Sequence, residues 1–165
     1  MDWQQLLIIE PYSWAAIGTA LLCGSLVGLE RQMRGKPVGI RTSSLITLGT
    51  YLFIVGASSV MTDATDPSRI IGQVITGIGF LGAGVMLARD GVVVGVTSAA
   101  TIWVLASVGV AIGLGYLDVA IKLAVVVVGV LFGVDLLEDY FQSLTRGVHK
   151  KYTGWKTSFR RDKQG

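Results

Sequence analysis

Apolar and polar positions fall in long blocks along the chain rather than alternating residue by residue. Four windows carry no charged side chain: 11–29, 42–62, 70–88 and 91–117. Each offers the roughly 20 apolar residues that a helix needs to cross a bilayer. A fifth window, 119–134, is interrupted only by Lys122, which lies near one end. Its stem can carry the ammonium back to the interface, and Asp118 sits four residues earlier on the same helix face. Backbone groups in lipid must be satisfied internally, so the windows are helices or strands of a closed barrel. Barrel strands alternate with a period of two, and runs such as 124–129 do not. The pattern predicts an all-α polytopic membrane protein with five transmembrane helices, spanning about 12–29, 43–61, 68–88, 97–114 and 117–135.

Local signals refine two starts. Asp66 can accept from the free first-turn amides of the third helix, and Pro67 suits its first position. Thr97 or Ser98 is the expected cap of the fourth, leaving 91–96 as a connector at the membrane surface.

Composition agrees with the pattern. The 165 residues are 52% hydrophobic and 15% charged, with mean hydropathy +0.63, too apolar for a soluble domain and too ordered in character for a linker. Cys23 and His149 are the only residues of their kinds, which excludes a disulfide scaffold and a zinc site. No nucleophile–base pair exists either, so no catalytic residues, metal or cofactor are expected and an enzyme is disfavoured. Leu22, before Cys23, is too large for a lipoprotein cleavage site, and Cys23 reads as a buried small apolar residue. The N-terminus has Asp2 and Glu10 where a signal peptide would be basic.

Charge sets the orientation. Twelve basic residues (four in the first loop, Arg89 in the third, seven in the tail) fall on one side, and Arg69 and Lys122 on the other. The N-terminus is therefore expected outside and the C-terminus in the cytoplasm. Residues 1–138 form the transmembrane domain and 139–165 a basic tail with seven Lys or Arg against two Asp. Tyr152, Trp155 and Phe159 recur among those charges as in a helix lying on an anionic leaflet, although a plain topogenic tail accounts for the charge as well. The bilayer is the expected partner; no element suited to reading nucleic acid is present.

The 22 glycines need a reason. Gly77-Ile-Gly79-Phe-Leu-Gly82 matches the dinucleotide fingerprint literally, but it lies inside a charge-free span instead of between a strand and a helix. Close helix packing is the better reading, because lipid supplies no hydrophobic drive between helices. Gly24/Gly28, Gly109/Gly113 and Gly129/Gly133 are small-xxx-small pairs; Gly72, Thr76, Gly79 and Ala83 form a stripe on the third span, with Gly84 beyond it. Packing within the chain is expected ahead of a homo-oligomer seam.

Polar residues gather where the helix ends meet the cytoplasm. Glu30, Arg31, Arg34 and Lys36 end the first helix, Arg41 and Thr42 open the second, and Arg89 and Asp90 follow the third. Thr97 and Thr101 open the fourth. A topogenic loop explains Arg31, Arg34 and Lys36; for the layer as a whole, a structural clamp and a functional site both remain open. On the outer side Asp63, Asp66 and Asp118 read as loop and cap residues, and Arg69 and Gln73 extend a polar face into the membrane from Asp66.

Three ordered motifs resemble the MgtC/SapB family: Gly24-x-x-x-Gly28-x-Glu30-Arg-Gln-x-Arg-Gly-Lys-x-x-Gly-x-Arg41-Thr, Asp66-Pro-x-Arg69, and Gly77-Ile-Gly-Phe-Leu-Gly-Ala-Gly84. Thr97-x-Ala-Ala-Thr101-x-Trp103 continues the pattern, and the likeness runs from about residue 21 to 138. The resemblance implies a multi-pass protein of the bacterial inner membrane, linked in pathogenic members to growth at low magnesium, stress adaptation and virulence. It implies a regulator that contacts membrane partners such as the F-type ATP synthase, and it puts Asp90 and Thr97 at functionally sensitive positions. The chain stops about 27 residues after its last span, so it resembles short, SapB-like members lacking the C-terminal ACT-like domain. Val94 also stands where the family often has a basic residue. The leading expectation is a non-enzymatic regulator, the alternative a small magnesium or proton transporter or channel built on Glu30, Arg41, Arg89 and Asp90.

Overall fold

The computed structural model describes residues 8–61, 66–89 and 92–140. Within them lie five helices, α1 (Trp14–Met33), α2 (Ile40–Ser58), α3 (Pro67–Gly84), α4 (Val96–Gly113) and α5 (Leu117–Tyr140). A short antiparallel hairpin, β1 (Leu87–Arg89) and β2 (Val92–Val94), joins α3 to α4. Two compact units divide the chain after Val128, within α5. The first holds α1 to α4 and the start of α5, where Ala120 and Ala124 are buried while Val119, Ile121, Val125 and Val126 are exposed. In the second, Val130, Phe132 and Val134 of α5 are exposed.

Three helices are long and apolar enough to cross a membrane: α2, α4 and residues 117–134 of α5. Of the five expected spans, α1 and α3 fall outside that group. Glu30 and Arg31 end α1, and Arg69, Gln73 and a run of glycines dilute α3.

The hairpin corrects the expected boundaries. α3 ends at Gly84 rather than 88, because the following residues pair as strands in the register Leu87↔Val94, Ala88↔Val93 and Arg89↔Val92. The signal was in the sequence: Asp-Gly between a short apolar run and three valines is a strong two-residue hairpin pattern. The start of α4 changes too. Its cap is Gly95, at φ 90, and not Thr97 or Ser98. A side chain at Gly95 would run into the Val85 carbonyl, so this left-handed turn needs glycine. Asp66 caps α3 as its type and place dictate, accepting from the Ser68 amide at 2.9 Å with Pro67 at the first position.

Helix α2 organises the first unit. It packs most extensively on α1 and next on α4, while α3 leans mainly on α4. Its buried face reads Ser43, Ser44, Ile46, Thr47, Thr50, Tyr51 and Ile54, small or hydroxylated at its charged end and bulkier at the other. Small partners let the backbones meet there. A Cβ on Gly24 would lie 2.5 Å from the Ser44 Cα, and one on Gly28 2.5 Å from the Ile40 Cα. On the other flank, a Cβ on Gly109 would come 2.6 Å from the Thr47 carbonyl oxygen, and one on Gly113 2.6 Å from Ile54 Cγ2. Two hydroxyls in this seam are satisfied locally, Thr47 donating to the Ser43 carbonyl at 3.1 Å and Ser43 to the Val38 carbonyl at 3.0 Å, and Ser25 of α1 pairs with Ser44 across it at 3.0 Å. At the far end the Tyr51 hydroxyl accepts from the Ser13 amide at 2.9 Å, with Tyr12 edge-on to its ring.

The remaining glycines behave differently. At Gly77, Gly79 and Gly84, as at Gly72, Gly129 and Gly133, a Cβ would meet nothing within 4 Å, and Gly82 has only ordinary contact with Ala99. The close packing expected of the third-span stripe is thus not made inside the described residues. The physical reason is that α3 turns another face to α4, where Ile71, Ile75 and Ile78 border a small cavity of about 120 Å³ with Trp103, Ala106 and Val110.

Gly24→Ala and Gly109→Ala should each destabilise the folded protein by about 1–3 kcal/mol, since the obstruction is backbone or a β-branched side chain. Gly18→Ala, with open space around it, should be neutral or slightly stabilising. Thermal unfolding in detergent compares the three. The Ser68 amide holds the Asp66 carboxyl below its ordinary range. The cap is therefore complete above pH roughly 4 and lost as pH falls through the lower folded value. Exchange protection of the Ser68 amide should fall with that titration and be absent at all pH values in Asp66→Ala.

Candidate functional site

The charged end of the bundle is built by the turn between α1 and α2. α1 closes on Gly35, at φ 63, with the Gly35 amide donating to the Gln32 carbonyl at 3.1 Å and the Lys36 amide to the Arg31 carbonyl at 2.9 Å. This pair of hydrogen bonds is the usual glycine stop of a helix. Val38 follows at φ 68, a left-handed conformation that costs a β-branched residue of order 1–3 kcal/mol. It is buried, and its carbonyl holds Ser43. The Gln32 side chain completes the turn by accepting from the Ile40 amide at 3.4 Å, at the start of α2.

Arg31 is buried at the centre of this end. Its Nη2 donates to Ser98 Oγ at 2.6 Å and its Nε to the Pro37 carbonyl at 3.4 Å, so one guanidinium joins α1, the turn and α4. Beside it Arg34 Nε lies 2.7 Å from Glu30 Oε1, one helical turn apart, with the glutamate side chain 7% exposed and the arginine 26%. The contact is an ion pair without hydrogen-bond alignment: neither Glu30 oxygen, both fully covered, accepts a well-directed hydrogen bond among the described residues.

The expected polar layer thus separates into parts. Glu30 and Arg31 are buried, with the half-buried Arg34 closing on Glu30. Arg41 and Thr42, in the first turn of α2, are exposed and face a different space. Thr97 is exposed, and Thr101 is buried with its hydroxyl donating to the Thr97 carbonyl at 2.8 Å. Arg89 belongs to β1, and Asp90 lies outside the described residues. Ser98, Ser43 and Ser44 were missed as parts of this end. Ser98 lies three residues before Thr101 on the buried face of α4, a spacing that would have indicated it.

Arg41 and Thr42 stand at one end of a groove of about 880 Å³ between α2 and α3. Leu45, Ile46 and Phe53 line one side and Val74, Ile78 and Leu81 the other. Gly49 and Gly77 widen the middle, and Gln73 adds a polar group nearer the far end. Of the outer-side motif, Asp66 serves as the cap, Arg69 is exposed beside it, and Gln73 looks into this groove. Lys122 pairs with Asp118 at 3.0 Å on an exposed face of α5.

The MgtC family model matches residues 17–140, which takes in all five helices except the first turn of α1. The chain belongs to the MgtC family. It is 41% identical over 140 residues to YhiD of Escherichia coli, named as a candidate magnesium transporter, covering 81% of this chain and 62% of that one. MgtC of Salmonella typhimurium is 38% identical over 124 residues, 75% of this chain and 52% of its own length. MgtC of Brucella abortus is 38% identical over 151 residues, 89% and 60%. The chain therefore spans between about half and three fifths of these relatives. No solved structure matches it. With its apolar helices, this member of the MgtC family is an integral membrane protein.

A double-mutant cycle tests the bond between Arg31 and Ser98. Arg31→Ala and Ser98→Ala should each destabilise, and their coupling should be roughly 1–2 kcal/mol, the range of a membrane hydrogen bond strengthened by charge. Strict additivity would remove the link between α1 and α4.

Proposed function

We propose that this protein is a non-enzymatic regulator of the bacterial inner membrane that serves adaptation to magnesium limitation by helix contact with a membrane partner. Five crossings, with the Arg31 end in the cytoplasm, belong to the same reading and rest on the charge asymmetry of the loops. The supporting observation is the outward face of α3. Gly72, Thr76, Gly79 and Ala83 are all exposed, no atom lies within 4 Å of a Cβ on Gly72 or Gly79, and the Thr76 hydroxyl is satisfied by the Gly72 carbonyl at 2.9 Å. Such a face gains little from lipid and much from a closely approaching helix. Magnesium enters through the family and the name of the YhiD relative, and the proton-conducting part of an F-type ATP synthase is the partner that the resemblance brings forward. The relatives are longer, so the proposal is confined to what membrane helices can do.

The alternative, a small magnesium or proton transporter, draws support from Glu30, a covered carboxylate paired with Arg34. A pathway from it would need free polar groups deeper in the bundle. The buried hydroxyls of Ser43, Thr47 and Thr101 are bonded to carbonyls of their own helix or its preceding turn, so these three do not extend such a pathway.

In a strain lacking the protein and grown at limiting magnesium, Gly79→Leu should accumulate at the normal level yet restore growth no better than the empty vector. Gly18→Leu, on an open face of α1, should restore it fully. Full rescue by Gly79→Leu would refute the contact. Magnesium or proton flux through purified protein in liposomes, lost in Glu30→Gln, would establish the transporter instead.

A further inference from the structure

The groove between α2 and α3 has a chemistry of its own. It is largely apolar along its length, with Thr50 and Gln73 as its uncharged polar groups, and carries its one charge at the end where α2 begins, with the exposed Arg41 and Thr42 side by side. Arg41 makes no ion pair with any described residue, and the neighbouring carboxylate, Glu30, is held by Arg34. An arginine at the edge of a membrane helix needs an anion or water, since charge at that depth is costly. From Arg41 to Ala57 the groove follows 16 residues of α2, about 24 Å at the helical rise. One leaflet's hydrocarbon is only ~15 Å deep, so an acyl chain lies in it with room to spare.

We propose that this groove seats an anionic phospholipid, its phosphate at Arg41 and Thr42 and an acyl chain along Leu45, Phe53, Ile78 and Leu81. Charge complementarity selects an anionic headgroup over a zwitterionic one, because a basic pocket between membrane helices attracts lipid phosphate. The layout of the groove selects lipid over a partner helix: one cation at its end and a largely apolar wall match a phosphate and its acyl chain. Gly49 and Gly77 give the groove its width: a Cβ on either would meet nothing within 4 Å. The groove face of α3 (Ile70, Gln73, Gly77, Leu81) is separate from its outward stripe (Gly72, Thr76, Gly79, Ala83). The lipid site therefore goes beyond the proposed helix contact and does not depend on it.

Native mass spectrometry of the full chain tests the site, after release from nanodiscs of equal phosphatidylglycerol and phosphatidylethanolamine. The unaltered chain should retain phosphatidylglycerol at least tenfold over phosphatidylethanolamine. Arg41→Gln should bring that ratio near one, Arg41→Lys should keep most of it, and Lys122→Gln, an exposed charge elsewhere, should leave it unchanged. Gly77→Leu fills the groove without touching the arginine and should lose retained lipid of both kinds. It also carries the test if Arg41→Gln does not fold. The proposal is overturned if Arg41→Gln keeps the preference, if Gly77→Leu keeps its lipid, or if a second copy or another polypeptide is retained with no lipid.

Discussion

Helix α2 lies against the backbones of two neighbours, and the rest of the first unit depends on that approach. Gly24 and Gly28 of α1 meet its charged end, while Gly109 and Gly113 of α4 meet it further along. In water such a helix would be drawn in by apolar burial; in lipid that drive is absent, and close packing with satisfied hydroxyls has to replace it. Serine and threonine on the buried face of α2 fit this role, because they are short enough for contact and can bond carbonyls locally. The Arg31 bridge to Ser98 then closes the same sandwich at its end.

Once α1, α2 and α4 are committed to one another, α3 is left with faces that its neighbours do not fill. One rests on α4, one borders the groove, and one points outward with its glycines uncovered. The last two differ in chemistry. The groove has a cation at its mouth and an apolar wall, which suits lipid; the outward face has neither charge nor bulk along its stripe, which suits a helix. On the two proposals made above, a single helix meets two occupants from two sides, lipid in the groove and a partner helix on the stripe.

Much of this was legible in the residue pattern. Four charge-free windows and a fifth broken only by Lys122 gave five helices, Asp66-Pro67 gave the start of α3, and the spacing of Asp118 and Lys122 gave their pair. Spacing gave the surfaces but not their partners. Gly24/Gly28 and the stripe at Gly72 and Gly79 look alike in sequence, yet only the first meets a neighbouring backbone, because that depends on which helices are adjacent. The expected polar layer failed to stay whole for a similar reason. Helix ends on one side of a membrane share a depth but not a position in the plane, so Arg41 borders the groove while Arg31 enters the bundle. Gly95 caps α4 through its backbone angle, a property that a pattern of hydroxyl side chains does not carry.

The central claim, that the groove and the outward face of α3 have different occupants, is open to one direct measurement. Phe53 lines the groove and is 72% exposed, whereas Phe80 adjoins the outward stripe and is 86% exposed. Each can be replaced by the near-isosteric photoreactive residue p-benzoylphenylalanine in cells making the protein at its native level. On illumination, position 53 should yield lipid adducts and position 80 a discrete protein adduct. Lipid adducts alone from both positions, or the same protein from both, would contradict the account.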